Sequence, residues 1–576
     1  MKMQFQIIGG SPNAEISLEN QREQDGILYM DVVMQLPEAA VPQPFSLEWK
    51  MPIINIYSVW SPSMRDNRHL GANWGKRKTT SRLASWMPLH GWISMDGTNQ
   101  LMVALSDALT PTAIGGGVCE EDACMDCCID FFTTPVAPLK EYRATLRFDR
   151  RQVPYYDSVY DAAEWWEQDC GYTPAYVPEY ARLPMNSLWY SYHQMLDVED
   201  IVKECRLSKP FGMETVIIDD GWQTDDNNRG YAFCGDWEVA TAKVPDMKAF
   251  VDRIHETGMK VMIWYSVPFV GLYSKNYERF KDMLLDETGN NRDYWSLDPR
   301  YPEVREFLIG LYEKALLDWG LDGFKLDFID SFELSGKSLE ADPRRDYTAL
   351  DEAVDVLMTD VMKRLTAINP EVLIEFRQSY VGPAIRKYGN MLRVGDCPED
   401  AAANRKGVVN LRLTSGKTAV HSDMLMWNYD EPVEKAALQL ASVLYSVPQI
   451  SVKIDRLCDE HKKMLAFYLD FWRSHRDVLL DGKVKANHPE SSYSLVWAER
   501  DATAIFTAYT NPVIDCTDYD EVIAVNSTGG QELFLQGAIG KAYCVVNCMG
   551  EEVESGYIED AVAMVSVPTA GMVFVK

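Results

Sequence analysis

Histidine is scarce in this chain, with 8 in 576 residues, and none forms a His-x-His pair. A metal-dependent hydrolase barrel, which draws ligands from several strand ends, is therefore poorly provided for, and insensitivity to chelators is expected. Positive charge is also short: 56 Lys and Arg stand against 86 Asp and Glu, giving a net charge of −30. Nucleic acid and anionic membrane surfaces are excluded as partners by repulsion, which leaves a small, neutral partner. No stretch approaches the roughly 18 consecutive apolar residues of a membrane span. The opening MKMQFQIIGGSPNAEISLEN carries one early lysine and a short mixed apolar run in place of a continuous signal-like core, so a cytoplasmic location is expected. In that setting the 12 cysteines are expected to be reduced thiols. Cys119, Cys124, Cys127 and Cys128 include a CxxC spacing, but no second pair follows nearby, so ordinary thiols are favoured over zinc.

What is present is a large folded enzyme's composition: 47% hydrophobic and 25% charged residues. At this length about three domains are expected. The first region, 1–170, alternates polar and apolar residues in short runs such as AEISLE, ILYMDVVMQL and YRATLRFDR, the pattern of a β-sandwich. Region 171–482 changes to strands alternating with amphipathic helices. Region 483–576 returns to strands such as YSLVWA, TAIFTAYT and KAYCVVNC, expected as an antiparallel β-sandwich. The composition neither requires nor excludes a homo-oligomer.

Eight candidate strands can be counted in the middle region: 186–194, 214–222, 260–267, 322–330, 371–380, 391–396, 417–423 and 449–455. With helices between them they predict an α/β fold, a (β/α)8 TIM barrel flanked by the two sandwiches. One helix is well marked. Pro302 opens it, Val304, Phe307, Leu308, Leu311, Tyr312, Ala315 and Leu316 form its apolar stripe, and Gly320 closes it. In such barrels the reacting groups sit at the C-terminal ends of strands. Asp219, Asp220, Lys325, Asp327, Arg377, Asp396 and His421 all fall there.

Within DGFKLDFID, Lys325 and Asp327 stand two apart and share one face of a strand, so the ammonium can lie beside the carboxylate and keep it ionised. Asp327 is thus the expected nucleophile, and Asp396 in MLRVGDCPED the expected proton donor. Two carboxyl groups with opposing roles are the equipment of a glycoside hydrolase. Asp330 and Glu333 are rivals for the first role, and Glu399 and Asp400 for the second. Plainer readings stand beside these: Asp219 and Asp220 as a strand-end turn, and Lys325 with Asp327 as a structural ion pair. His193 and His421 are expected as hydrogen-bonding pocket residues and Trp165 and Trp166 as interdomain packing. The polar, basic and aromatic segment 63–86, with Arg65, Asp66 and Trp74, is a candidate lid over the barrel mouth.

IIDDGWQ at 217–223, the arginine ahead of a leucine-aspartate pair in RDYWSLDPRYPEVR, and DGFKLDFID together resemble the retaining α-glycosidase clan of glycoside hydrolase families 27, 31 and 36, with family 36, the microbial α-galactosidases, the nearest. The resemblance implies that Asp327 forms the covalent glycosyl-enzyme and that Asp396 is the acid/base. It implies further that Asp219 and Asp220 bind the 4- and 6-hydroxyls of an α-galactoside, that Lys325 and Arg292 contact ring hydroxyls, and that Trp222 walls the pocket. Trp264, Arg377 and His421 complete the expected binding set. The implied activity is exo-cleavage of terminal α-galactosyl residues from small carbohydrates by double displacement, with no metal or organic cofactor. One segment departs from family 36. EFRQSYVGPAIRKYG stands where that family carries a cysteine and a glycine-rich run, and it resembles family 31, in which α-glucosidases dominate. Arg377 would fill space beside the sugar's 2-position, which favours a plain hydroxyl over a 2-acetamido group. A binding protein without catalysis would keep Trp222 and the aspartate pair but lose one of the two carboxylates.

Overall fold

A computed structural model of the chain describes residues 3–63, 70–285, 292–334 and 340–576. The first region folds as a five-stranded and a six-stranded antiparallel sheet packed face to face. Strand period decides which residues lie between them. In Ile27–Ala40, Leu28, Met30, Val32 and Met34 point inward and meet Trp49, Trp92, Ile129 and Phe148. The cysteine-rich segment is strand Cys124–Phe131 of this sandwich, with Cys127 in the same core, and all twelve cysteines are free thiols.

Helix Tyr155–Gln168 leads from the sandwich towards the barrel. Its Trp166 Nε1 donates to the Leu105 carbonyl at 2.8 Å, and the Trp165 ring lies 6.2 Å from Tyr29. Both indoles are therefore packing between elements.

Eight parallel strands follow in the order in which they occur in the chain: β1 Met185–Ser187, β2 Thr215–Ile218, β3 Lys260–Ser266, β4 Gly323–Asp327, β5 Leu373–Arg377, β6 Met391–Arg393, β7 Ala419–His421 and β8 Gln449–Ile450. Sequential strands are hydrogen-bonded neighbours, β8 pairs with β1, and the bridge His421 to Val447 closes the barrel between β7 and β8. The helix before β4 spans Pro302–Trp319, and Gly320 caps it at φ +71 with its N–H on the Leu316 carbonyl.

Alternation along the strands builds the interior in layers. Met185, Ile217, Met262, Leu373, Met391 and Ala419 form an apolar floor, closed from below by Ala181. Two residues further along the strands come Asp219, Trp264, Lys325, Glu375, Arg393 and His421, all buried. The barrel thus carries a charged layer directly on an apolar plug.

The last region forms a seven-stranded and a three-stranded sheet. Each departs from the expected antiparallel arrangement at one pair: Thr503–Ala508 runs parallel to Glu521–Asn526, and Val513–Asp515 parallel to Glu532–Gln536. The cause is connectivity, because the chain crosses from one sheet to the other and back between these strands. Among the described residues no helix is long and apolar enough to cross a membrane.

Candidate active site at the barrel mouth

Asp327 is the last residue of β4 and is buried. The chain turns at once, with Phe328 at φ +66, and the Phe328 N–H donates to Asp327 Oδ1 at 2.8 Å. The same oxygen accepts Arg377 Nε at 2.8 Å and Tyr380 Oη at 2.5 Å. Oδ2 accepts Trp264 Nε1 at 3.0 Å. Burial would raise the pKa of this carboxyl, but Arg377, Lys325 and the two side-chain donors outweigh it and hold Asp327 well below the usual carboxylate range.

Lys325 does not take the partner expected from strand spacing. Its Nζ lies 2.5 Å from Asp219 Oδ2, across the barrel just past the end of β2, and it acts on Asp327 through space. The direct cation on Asp327 is Arg377, because the end of β5 is the nearer edge. Asp220 is buried and accepts Gln194 Nε2 at 2.7 Å and Gln223 Nε2 at 2.6 Å. Burial, with a contribution from the neighbouring Asp219 charge, pushes Asp220 up to about 6 despite those donors. Asp219 and Asp220 are thus more than a turn: each is a buried carboxyl with side-chain partners from other elements.

Asp396 stands three residues beyond β6 with its side chain 51% exposed at the mouth. Arg393 Nη2 donates to its Oδ1 at 2.9 Å. Partial burial raises its pKa, but Arg393 and then Lys325 pull it below the ordinary value, while Asp327 pushes the other way. The rivals are occupied differently. Asp400 caps helix Ala401–Thr414 by accepting the Ala403 N–H at 2.9 Å, and Glu333 pairs at the surface with Arg82 at 2.6 Å. Asp330 accepts Ser379 Oγ at 2.9 Å, and Glu399 is exposed.

A cavity of about 520 Å³ opens beside Asp396, with Arg377, Gln378, Asp330 and Lys406 on the barrel side and Ser63 and Trp86 from the N-terminal sandwich. The sandwich is fixed there by the Trp86 N–H on the Ser379 carbonyl at 2.7 Å and by Arg82 on the Phe332 and Asp330 carbonyls at 2.8 and 2.6 Å. Of the candidate lid, Arg65 and Asp66 lie outside the described residues, and Trp74 is 88% exposed on a short turn, Asn73–Gly75.

Two expected binding residues are corrected. Trp222 is no pocket wall: its ring is fully buried against Trp237, Tyr265 and Trp319, and its Nε1 donates to the Trp264 carbonyl at 2.9 Å. Gly221 is the reason. At φ +116, where a Cβ would meet Gln194 Cα at 2.5 Å, it turns the chain over the rim and drops the indole behind the strands. His421 points into the barrel below the mouth, with Nε2 on the Ala181 carbonyl at 2.8 Å and Nδ1 facing Gln449 at 3.2 Å. Burial pulls it down to about 4, so it is a neutral interior residue. Arg292 is exposed and precedes strand Tyr294–Ser296, whose Tyr294 ring packs on Tyr231 at 5.1 Å. Among the described residues no bond ties Arg292 to the charged layer. His193, at φ +47, packs its ring 4.8 Å from Trp189.

Sequence reasoning missed Tyr380, Glu375, Arg393, Asp423 and Tyr190. Asp423, buried just past β7, accepts Arg393 Nη1 at 2.5 Å, Tyr190 Oη at 2.9 Å and the Cys397 N–H at 2.6 Å. Glu375 accepts from Gln449 and lies 3.4 Å from Arg393 Nε. A charged residue at inward parity, as in LIEFR where Glu375 and Arg377 share a face, is the signal that was available. Among the described residues no group of three or more His, Cys, Asp or Glu side chains is placed to hold a metal ion.

Residues 183–392 match the family model for Melibiase. Alpha-galactosidase 1 of Pediococcus pentosaceus is 29% identical over 176 residues, 29% of this chain and 23% of that protein, so the alignment spans about a quarter of the relative's length. The GH36 alpha-galactosidase AgaA of Geobacillus stearothermophilus has the same fold, with a TM-score of 0.66 at 14% identity over 100% of this chain and 87% of that one. A variant of AgaA solved with raffinose superposes with a TM-score of 0.64 at 13% identity, covering 100% of this chain and 87% of that one.

Proposed function

Residues 183–392 belong to the melibiase family, and from that premise we propose that the protein is a retaining, exo-acting α-galactosidase that releases terminal α-galactosyl residues from small oligosaccharides or glycosides. The observation that carries this reading is the asymmetric loading of Asp327. Three donors sit on Oδ1 and one on Oδ2. Oδ2 is therefore the oxygen with a lone pair to give, and the ionised state it needs is held by Arg377 and Lys325.

In the first step Oδ2 of Asp327 attacks the anomeric carbon while Asp396 passes its proton to the departing oxygen. In the second, Asp396 as a carboxylate takes a proton from water, which attacks the same carbon and releases Asp327. Asp219 and Asp220 accept sugar hydroxyls, Lys325 donates to one, and Trp264 fixes the nucleophile. The leaving group lies in the cavity beside Asp396, between the barrel and the N-terminal sandwich. An α-galactosidase structure with raffinose among the fold relatives supports an oligosaccharide substrate. All twelve cysteines are free thiols, which suits a reducing compartment and supports a cytoplasmic setting.

The test is a panel of p-nitrophenyl α-glycosides (galactoside, glucoside, N-acetylgalactosaminide and xyloside) run on the wild type and on Asp327→Ala. Hydrolysis of the galactoside, lost in the variant, with the α-anomer as the first product by NMR, is the expected result. Cleavage of the glucoside in its place would move the protein to the α-glucosidase side of the clan, and no cleavage of any sugar would overturn hydrolysis.

A further inference from the structure

Arg393 is the one cation in direct contact with Asp396 among the described bonds, and it is completely buried. A proton donor in contact with a guanidinium faces a difficulty, because the cation favours the ionised carboxylate and a general acid must carry its proton. The structure answers with counter-charges. Asp423 Oδ1 lies 2.5 Å from Arg393 Nη1, and Glu375 Oε1 lies 3.4 Å from Arg393 Nε. Asp423 is fully buried and accepts on both oxygens, from Arg393, from Tyr190 Oη and from the Cys397 N–H; burial, with Asp396 nearby, raises its pKa above the ordinary value, and these three donors are what favour its ionised form. Cys397 directly follows Asp396, and Asn404 Oδ1 accepts the Asp423 N–H at 3.0 Å, so Asp423 is fixed from two sides.

We propose that Asp423 is a positioning residue for the acid/base: through Arg393 and the Cys397 N–H it holds Asp396 at the mouth, and its carboxylate offsets part of the guanidinium's charge. The charged and titratable groups that face this relay are Arg393 from β6 with Cys397 beyond it, Lys325 and Asp327 from β4, Glu375 and Arg377 from β5, His421 from β7 and Tyr190 from the segment after β1. Asp423 is the carboxylate among them that touches Arg393 at hydrogen-bond distance without reaching the mouth. Arg393 holds Asp396 below its ordinary pKa even with these counter-charges in place, so loss of Asp423 must lower it further.

This inference rests on the reading of Asp396 as the acid/base, and the experiment separates the two. Asp396→Ala should lose activity on galactosides with a sugar leaving group and regain turnover of an activated aryl galactoside when azide is supplied. If Asp396→Ala is unimpaired, the site reading fails and this inference with it. In Asp423→Asn the basic limb of the kcat/KM profile should move down by about one pH unit, a tenfold loss at neutral pH for a disaccharide substrate. With 2,4-dinitrophenyl α-galactoside, which needs little proton assistance, the loss should stay within about threefold. Tyr190→Phe removes one donor from Asp423 without touching Arg393 and should shift the limb the same way by a smaller amount. It decides the matter if the asparagine variant does not fold. Equal losses on both leaving groups with an unmoved profile would overturn the proposal and leave Asp423 a structural residue.

Discussion

Tyr380 Oη and Arg377 Nε converge on one oxygen of Asp327, at 2.5 and 2.8 Å, with the Phe328 N–H as a third donor to it. A hydrogen bond to a charged acceptor is worth about 1.5–3 kcal/mol. On the proposed mechanism the phenol therefore does more than hold the carboxylate for attack, since it would also stabilise Asp327 as the leaving group when the glycosyl-enzyme breaks down.

Tyr380→Phe should accordingly slow the second step more than the first. We expect kcat to fall roughly ten- to a hundredfold, with a burst of p-nitrophenol before the steady state. Burial and the loss of a donor both raise the Asp327 pKa, so the acid limb of the profile should also move up. Stopped-flow measurement of the burst checks the first part, and a variant without a burst would place the contribution of Tyr380 in the first step.

Asp220 carries a cost that ligand binding can relieve. Its carboxyl is pushed up to about 6 by burial and by Asp219, so in the folded state the proton is held more tightly than in the unfolded chain. That preference stabilises the fold below the unfolded pKa and is lost as the pH rises through the folded value. Asp220→Asn should therefore melt higher than the wild type at pH 8, by an amount on the order of 2 kcal/mol, while losing sugar binding. The stability difference should shrink below pH 6 and vanish near pH 4. Melting curves across that range test it, and a difference independent of pH would mean that Asp220 is ionised without cost.

Arg377 makes a shape prediction as well as an electrostatic one. Its guanidinium packs 5.0 Å over Phe328 and 5.3 Å over Tyr380 while holding Asp327, so it fills the β5 side of the pocket. The wild type should not hydrolyse the N-acetylgalactosaminide. Arg377→Lys keeps the charge but not the planar donor, and we expect a loss of about tenfold or more in kcat/KM on the galactoside. Activity on the 2-acetamido substrate in the wild type would show that the guanidinium moves aside.

The eight strands were legible because each is an apolar run bounded by turn residues, and the carboxyls proposed to react because they fall at or just past strand ends. The buried cluster around Arg393 was not. Glu375, Arg393 and Asp423 come from β5, β6 and the end of β7, and nothing in their own segments says that they meet until the barrel closes through His421 and Val447. Lys325 illustrates the same limit. Spacing on one strand put it beside Asp327, whereas closure offered Asp219 across the barrel at 2.5 Å. Trp222 was misplaced for a local reason, since the turn at Gly221 reverses which side of the strand the indole lies on.

Two tryptophans of similar expectation should separate in experiment. Trp222 is buried among Trp237, Tyr265 and Trp319 and touches the site through the Trp264 carbonyl, whereas Trp264 donates its own N–H at 3.0 Å to Asp327 Oδ2, the oxygen proposed to attack. Trp222→Phe removes volume and one hydrogen bond from a packed interior, so it should cost roughly 2–3 kcal/mol of stability while kcat/KM changes less than about threefold. Trp264→Phe leaves Oδ2 without its donor and free to rotate out of line, and we expect kcat to fall at least about tenfold at a similar cost in stability. Thermal melts and steady-state kinetics on both variants decide it. A large KM increase in Trp222→Phe would restore that indole to the pocket wall, and an unaffected kcat in Trp264→Phe would assign the attack to Oδ1.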